Sequence, residues 1–117
     1  MAIKSQKQNR VLIETIEVLG SLDSDLWKRV AKDLAKTSQN KRVVNISRIN
    51  RFSEQNELIV VPGKVLGAGR MDHAVTVGAF AFSDSAKKAI EESKGKAVPI
   101  TELAKQAPKG TGVKLLG

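Results

Sequence analysis

An α/β fold, with short strands and short helices alternating behind an N-terminal helical segment, is what this sequence of 117 residues predicts. Three observations carry it. Apolar residues recur at helical spacing over residues 11–19 and again over 26–35. AVTVGAFAF (74–82) is apolar on both faces, the pattern of a central strand buried on both sides. Beyond residue 40, Gly, Pro, Ser and Asn cut the chain into segments too short for long helices.

Taken in order, the first ten residues read as a flexible basic lead-in, ordered only against a polyanion. The first helix carries Val11, Leu12, Ile16, Val18 and Leu19 and stops at Gly20. A second opens near Ser21 to Ser24, where Ser and Asp can cap free N–H groups. Its apolar stripe is Leu26, Trp27, Val30, Ala31, Leu34 and Ala35, which makes Trp27 a core anchor. TSQNK is a loop. RVVNISRINRF has two signals: a β-branched start and, at Ile46, Ile49 and Phe52, the spacing of a helical turn. SEQNE is a polar turn, and ELIVV a strand that Pro62-Gly63 ends or bends. KVLG adds a short strand and AGRMD a loop. After 74–82, Ser83 caps a helix closed by Gly95 in the left-handed position. AVPI is a strand, Thr101 caps a brief helix, and VKLLG is a last strand after the PKGTG turn.

Size and composition fit one domain: residues 1–40 a basic tail with two helices, 41–117 an α/β body. No cysteine is present, so disulfides and thiolate chemistry are excluded and a reducing intracellular setting is implied. No apolar run is long enough to span a membrane. The net charge of +8 is the strongest compositional fact, since such a field recruits polyanions. Residues 1–52 hold 11 Lys+Arg against 5 Asp+Glu, so most of the excess lies there. Within that half, Lys41, Arg42, Arg48 and Arg51 share a stretch without an acid. With one Trp, three Phe and no Tyr, base stacking is not expected to be the main grip on nucleic acid.

Catalytic chemistry finds little footing. His73 is the only histidine and follows Asp72, but no nucleophile motif accompanies the pair. Ser83 and Ser85 are better explained as a helix cap and its first turn. Contact of His73 with a phosphate or base edge, or a plain loop role, is the stronger reading. One His and no Cys leave no metal-ligand cluster. The glycine-rich PGKVLGAGR (62–70) matches neither a P-loop nor a dinucleotide fingerprint. It reads as a turn bringing Lys64, Arg70 and backbone N–H groups to an RNA backbone, or as a tight hairpin; the two are compatible.

The segment VVPGKVLGAGRMDHAVTVGAFAFSDSAKKAIEESKGKAVPITELAKQAPKGTGVKLLG resembles ribosomal protein eighteen-e of archaea and eukaryotes. NRVLIETIEVL, LWKRVAKDLAK and RVVNISRINR extend the resemblance over essentially the whole chain. Its C-terminal half is similar to bacterial ribosomal protein fifteen, and its short N-terminus is similar to archaeal members. The resemblance implies an irregular strand-strand-helix superhelix behind the helical segment. It implies a structural constituent of the large ribosomal subunit, cytoplasmic on the ribosome, binding ribosomal RNA beside neighbouring ribosomal proteins. No cofactor, reaction, small-molecule substrate, membrane or homo-oligomer is implied. The RNA-facing positions it transfers are Lys4, Lys7, Arg10, Lys41, Arg42, Asn45, Arg48, Arg51, Lys64, Arg70, His73, Lys109 and Lys114. A non-ribosomal basic RNA- or DNA-binding protein is the alternative.

Overall fold

The computed structural model describes residues 13–36, 42–110 and 112–116, with Lys36 and Arg42 described by backbone alone. The lead-in (1–10) and the TSQNK loop (37–41) lie outside the described residues. The elements run α1 (13–20), α2 (Asp25–Lys36), β1 (Arg42–Asn45), α3 (Ile46–Phe52), β2 (Leu58–Leu66) and β3 (Thr76–Phe82). Then come α4 (Asp84–Glu92), β4 (Lys96–Pro99), α5 (Ile100–Gln106) and β5 (Val113–Leu115). The class is the expected α/β one.

All strand pairings among the described residues are parallel, and β2 is the spine. Along one edge it pairs with β3; along the other it pairs with β5 at Leu58–Val60 and with β1 at Gly63–Leu66. β4 lies beyond β3. Pro62-Gly63 does not end the strand. The register against β3 slips between Val61 and Lys64 and the ladder resumes, which suits a residue with no N–H to donate. ELIVV and KVL therefore form one strand, not two. The tight-hairpin reading also falls, because parallel neighbours need a crossover instead of a short turn.

Both faces of the sheet are covered, which is why its strands are so evenly apolar. Ile59, Val61 and Val65 of β2 enter one core with Val77 and Ala79, closed by Ile46 and Ile49 of α3 and Ala86 and Ile90 of α4. Val60, with Leu58 beside it, enters the other, closed by Leu19, Trp27, Val30 and Leu34 of α1 and α2 and Ile100 and Leu103 of α5. Successive side chains of one strand thus feed opposite cores. The N-terminal helical segment shares the second core with the body.

Local signals explain most boundaries. Ser24 Oγ accepts the Trp27 N–H at 3.4 Å, starting α2. Trp27 is fully buried, its indole N–H satisfied by the Ala107 carbonyl at 2.6 Å, while Ala35 turns out to be exposed. Both signals in RVVNISRINRF are real, for β1 passes into α3 without a linker. Ser83 Oγ accepts the Ala86 N–H at 3.2 Å and starts α4. Two caps differ from expectation. Lys94, not Gly95, takes the left-handed position (φ 67°), and Gly95 is needed because a Cβ there would stand 2.2 Å from the Val75 carbonyl oxygen. Thr101 lies inside α5, whose N-cap is Pro99.

Candidate nucleic-acid interface

A parallel β2–β3 pair needs a crossover, and here residues 67–75 supply it without a helix. A helix would satisfy its own backbone; a loop must find partners elsewhere. This one finds them on α3, at the end of α4 and in the turn before β2. Ser47 N–H donates to the Ala68 carbonyl at 3.0 Å, and Ser93 Oγ donates to the Met71 carbonyl at 2.8 Å. The Asp72 N–H donates to Asn50 Oδ1 at 3.0 Å, and Asn56 N–H to the Ala74 carbonyl at 2.6 Å. Gly69 (φ 108°) lies so close to α3 that a Cβ would meet Ser47 Cβ at 2.4 Å.

His73 is part of this fastening. Its Nδ1 lies 2.7 Å from Asp72 Oδ1 and its Nε2 lies 2.8 Å from Ser53 Oγ. The hydrogen bond from His73, and then that from Asn50, holds the Asp72 carboxyl below the usual carboxylate range. The order Asp–His–Ser imitates a catalytic triad, with Ser53 in the place where sequence reasoning considered Ser83. The serine, however, also lies 2.5 Å from the Ile49 carbonyl at the end of α3, which competes with His73 for its one proton. A nucleophile must give that proton to the histidine. The arrangement ties a helix end to a loop.

Helix α3 divides its residues three ways. Ile46 and Ile49 are buried, Ser47 and Asn50 bond the loop, and Arg48, Arg51 and Phe52 are exposed. The Arg48 and Arg51 Cζ atoms lie 5.2 and 5.6 Å from the Phe52 ring centroid. Arg70 is exposed on the fastened loop. Lys64 is exposed on β2 and pairs in register with Val43, likewise exposed, while their neighbours Val65 and Val44 are buried. The geometry thus groups Arg48, Arg51, Arg70 and His73 on one helix and the loop bonded to it.

The remaining transferred positions scatter. Lys4, Lys7, Arg10 and Lys41 lie outside the described residues, and of Arg42 only the backbone is described. Asn45 is the half-buried N-cap of α3, its side chain making no capping bond. Lys109 is exposed in the turn before β5, its carbonyl accepting from Ser24 Oγ at 3.1 Å. Lys114 is engaged within the protein: its ammonium donates to the Phe52 carbonyl at 2.8 Å and to Glu57 Oε1 at 3.3 Å. The Glu54 N–H, at 2.6 Å, and then Lys114 hold the Glu57 carboxyl low, against the opposing pull of desolvation. Sequence reasoning missed Ser53 and Asn50 altogether, because nothing local marks a helix residue as the partner of a loop about twenty positions on.

Fold and surface define a small, strongly basic α/β protein with Arg48, Arg51 and Arg70 exposed on one hydrogen-bonded helix–loop unit. The family model described as Ribosomal protein 60S L18 and 50S L18e matches residues 4–117, and the chain belongs to that family. It is similar to the Large ribosomal subunit protein eL18 of Sulfurisphaera tokodaii, 39% identical over 99% of this chain and 98% of that protein. The protein of the same name from Methanospirillum hungatei is 38% identical over 99% of each chain. That of Archaeoglobus fulgidus is 42% identical over 95% of this chain and 98% of its own.

Proposed function

We propose that this chain is a structural constituent of the large ribosomal subunit, acting in the cytoplasm, where it binds large-subunit ribosomal RNA and braces its fold. Membership of the eL18 family supports the ribosomal assignment. The observation that carries the RNA-binding surface is the fastening of the 67–75 loop to α3, which presents Arg48, Arg51 and Arg70 with little left to order on binding. Exposed arginines on phosphates release condensed counterions, and Arg can fork onto a phosphate with two N–H donors. In this reading Lys64, Asn45 and Lys109 touch the RNA separately from that unit, and Lys4, Lys7, Arg10, Lys41 and Arg42 add further contacts. Lys114 acts instead by holding the end of α3. Residues 1–117 are taken as one domain, and the role is architectural, without a reaction, cofactor, membrane or second copy of the chain. Neighbouring ribosomal proteins are its other partners.

The test is sedimentation of the native protein in lysate, with and without magnesium chelation. Stoichiometric co-migration with the large subunit is expected. Migration as a free small protein, or with DNA, would leave the alternative of a non-ribosomal nucleic-acid binder.

A further inference from the structure

We infer that Phe52, with the guanidiniums of Arg48 and Arg51 laid against it, is a stacking site for one unpaired nucleotide of RNA, an inference that rests on the ribosomal-RNA reading above. Of the four aromatic residues, Trp27 is fully buried, Phe80 and Phe82 are half-buried, and Phe52 alone is exposed, at 45%. Its position is fixed from both sides. The Phe52 carbonyl accepts from Lys114 Nζ at 2.8 Å, and the next residue, Ser53, is bonded to the Ile49 carbonyl and to His73. The backbone that carries the ring is therefore anchored by three bonds. Two guanidiniums within 5.2 and 5.6 Å of its centroid are held ready by cation–π attraction.

The chemistry selects the ligand. Residues 42–53 contain no Asp or Glu, so the patch favours a polyanion over a neutral protein surface. An A-form duplex keeps its base faces inside and offers phosphates and 2′-hydroxyls, for which an aromatic ring is no use. An unpaired nucleotide offers a base face for the ring or a guanidinium plane, and beside it a phosphate for the remaining N–H donors. Few aromatics in the sequence exclude stacking as the main grip; one exposed ring at the centre of an arginine pair makes a single local use of it.

The experiment compares wild type, Phe52→Leu and Arg70→Ala for binding to large-subunit ribosomal RNA, to a fully paired two-stranded duplex, and to that duplex with one bulged nucleotide, across a salt series. Phe52→Leu is expected to weaken binding to ribosomal RNA and the bulged duplex roughly tenfold, with the salt slope unchanged and no loss on the paired duplex. Arg70→Ala should instead lower the slope by about one. A Phe52→Trp variant supplies a second readout: its added fluorescence is quenched by ribosomal RNA but not by the duplex, against the constant signal of buried Trp27. Equal binding of Phe52→Leu and wild type to all three RNAs would overturn the stacking site while leaving the ribosomal reading intact. The same follows if Phe52→Leu binds free RNA normally but is lost from assembled subunits, since the ring would then face a protein. Failure of the wild type itself to bind ribosomal RNA would overturn the underlying reading.

Discussion

Ser53 Oγ and His73 Nε2 meet at 2.8 Å across the seam between α3 and the loop that leads to β3. The same hydroxyl also reaches the Ile49 carbonyl, so one side chain closes both a helix and a crossover. Ser53→Ala is expected to destabilise the protein by about 1–2 kcal/mol in urea unfolding, through two lost bonds and a buried carbonyl left short of a donor. Amide exchange should also quicken at Ser47 and Asp72, whose N–H groups bond this loop and α3. Unchanged exchange there would mean the loop is held without this contact.

Gly69 and Gly112 form a controlled comparison. Both have positive φ, 108° and 76°, but a Cβ at Gly69 would strike Ser47 whereas one at Gly112 would meet open space. Gly112→Ala should cost about 1 kcal/mol, the ordinary penalty of the left-handed region. Gly69→Ala should cost at least twice that, roughly 2–3 kcal/mol, because α3 and the loop must also separate. Thermal unfolding of the two variants checks the ratio.

Asp72 gives a pH dependence whose sign is fixed. Its folded carboxyl titrates below the ordinary value because His73, and secondarily Asn50, hydrogen-bond to it. The resulting stabilisation is present above about pH 4 and is lost as pH falls through the lowered folded value. Asp72→Asn removes the ionising group. Its deficit against wild type, measured by urea midpoints, should shrink as pH falls below about pH 4. A deficit that persists undiminished below that pH would contradict the assignment.

Arg48→Ala and Arg51→Ala should each weaken binding to ribosomal RNA more than Lys87→Ala, which alters an exposed residue of α4. Each arginine variant should also lower the salt slope by about one. Filter binding over a salt series reads both quantities. Equal losses from all three would mean that charge acts diffusely.

What sequence could and could not convey follows from distance along the chain. The α2 stripe, the Ser24 and Ser83 caps and the doubly buried β3 depend on neighbours within one or two turns, so periodicity exposes them. The double signal in RVVNISRINRF was legible once both halves were taken literally as strand and helix. Strand order was not, because a parallel ladder is made between residues such as Leu58 and Val113, which share no local pattern. Pro62-Gly63 was ambiguous for the same reason: whether a proline ends a strand depends on the partner's register. For the candidate surface, the acid-free stretch marked Arg48 and Arg51 and the glycine-rich turn marked Arg70, while the family resemblance added Lys114, whose ammonium is held by Glu57 and the Phe52 carbonyl. Composition counts cations; only the fold says which are already engaged.

The division of one β2 edge between β1 and β5 has a bearing on how the protein comes apart. The Gly63–Leu66 half is covered by a strand that precedes it in the chain, whereas the Leu58–Val60 half is covered by Val113–Leu115. A molecule in which β5 alone has peeled away therefore carries a short open ladder flanked by apolar side chains, a template for strand addition by a neighbour. Self-association of the free protein should follow the opening of that strand and stop where it is docked.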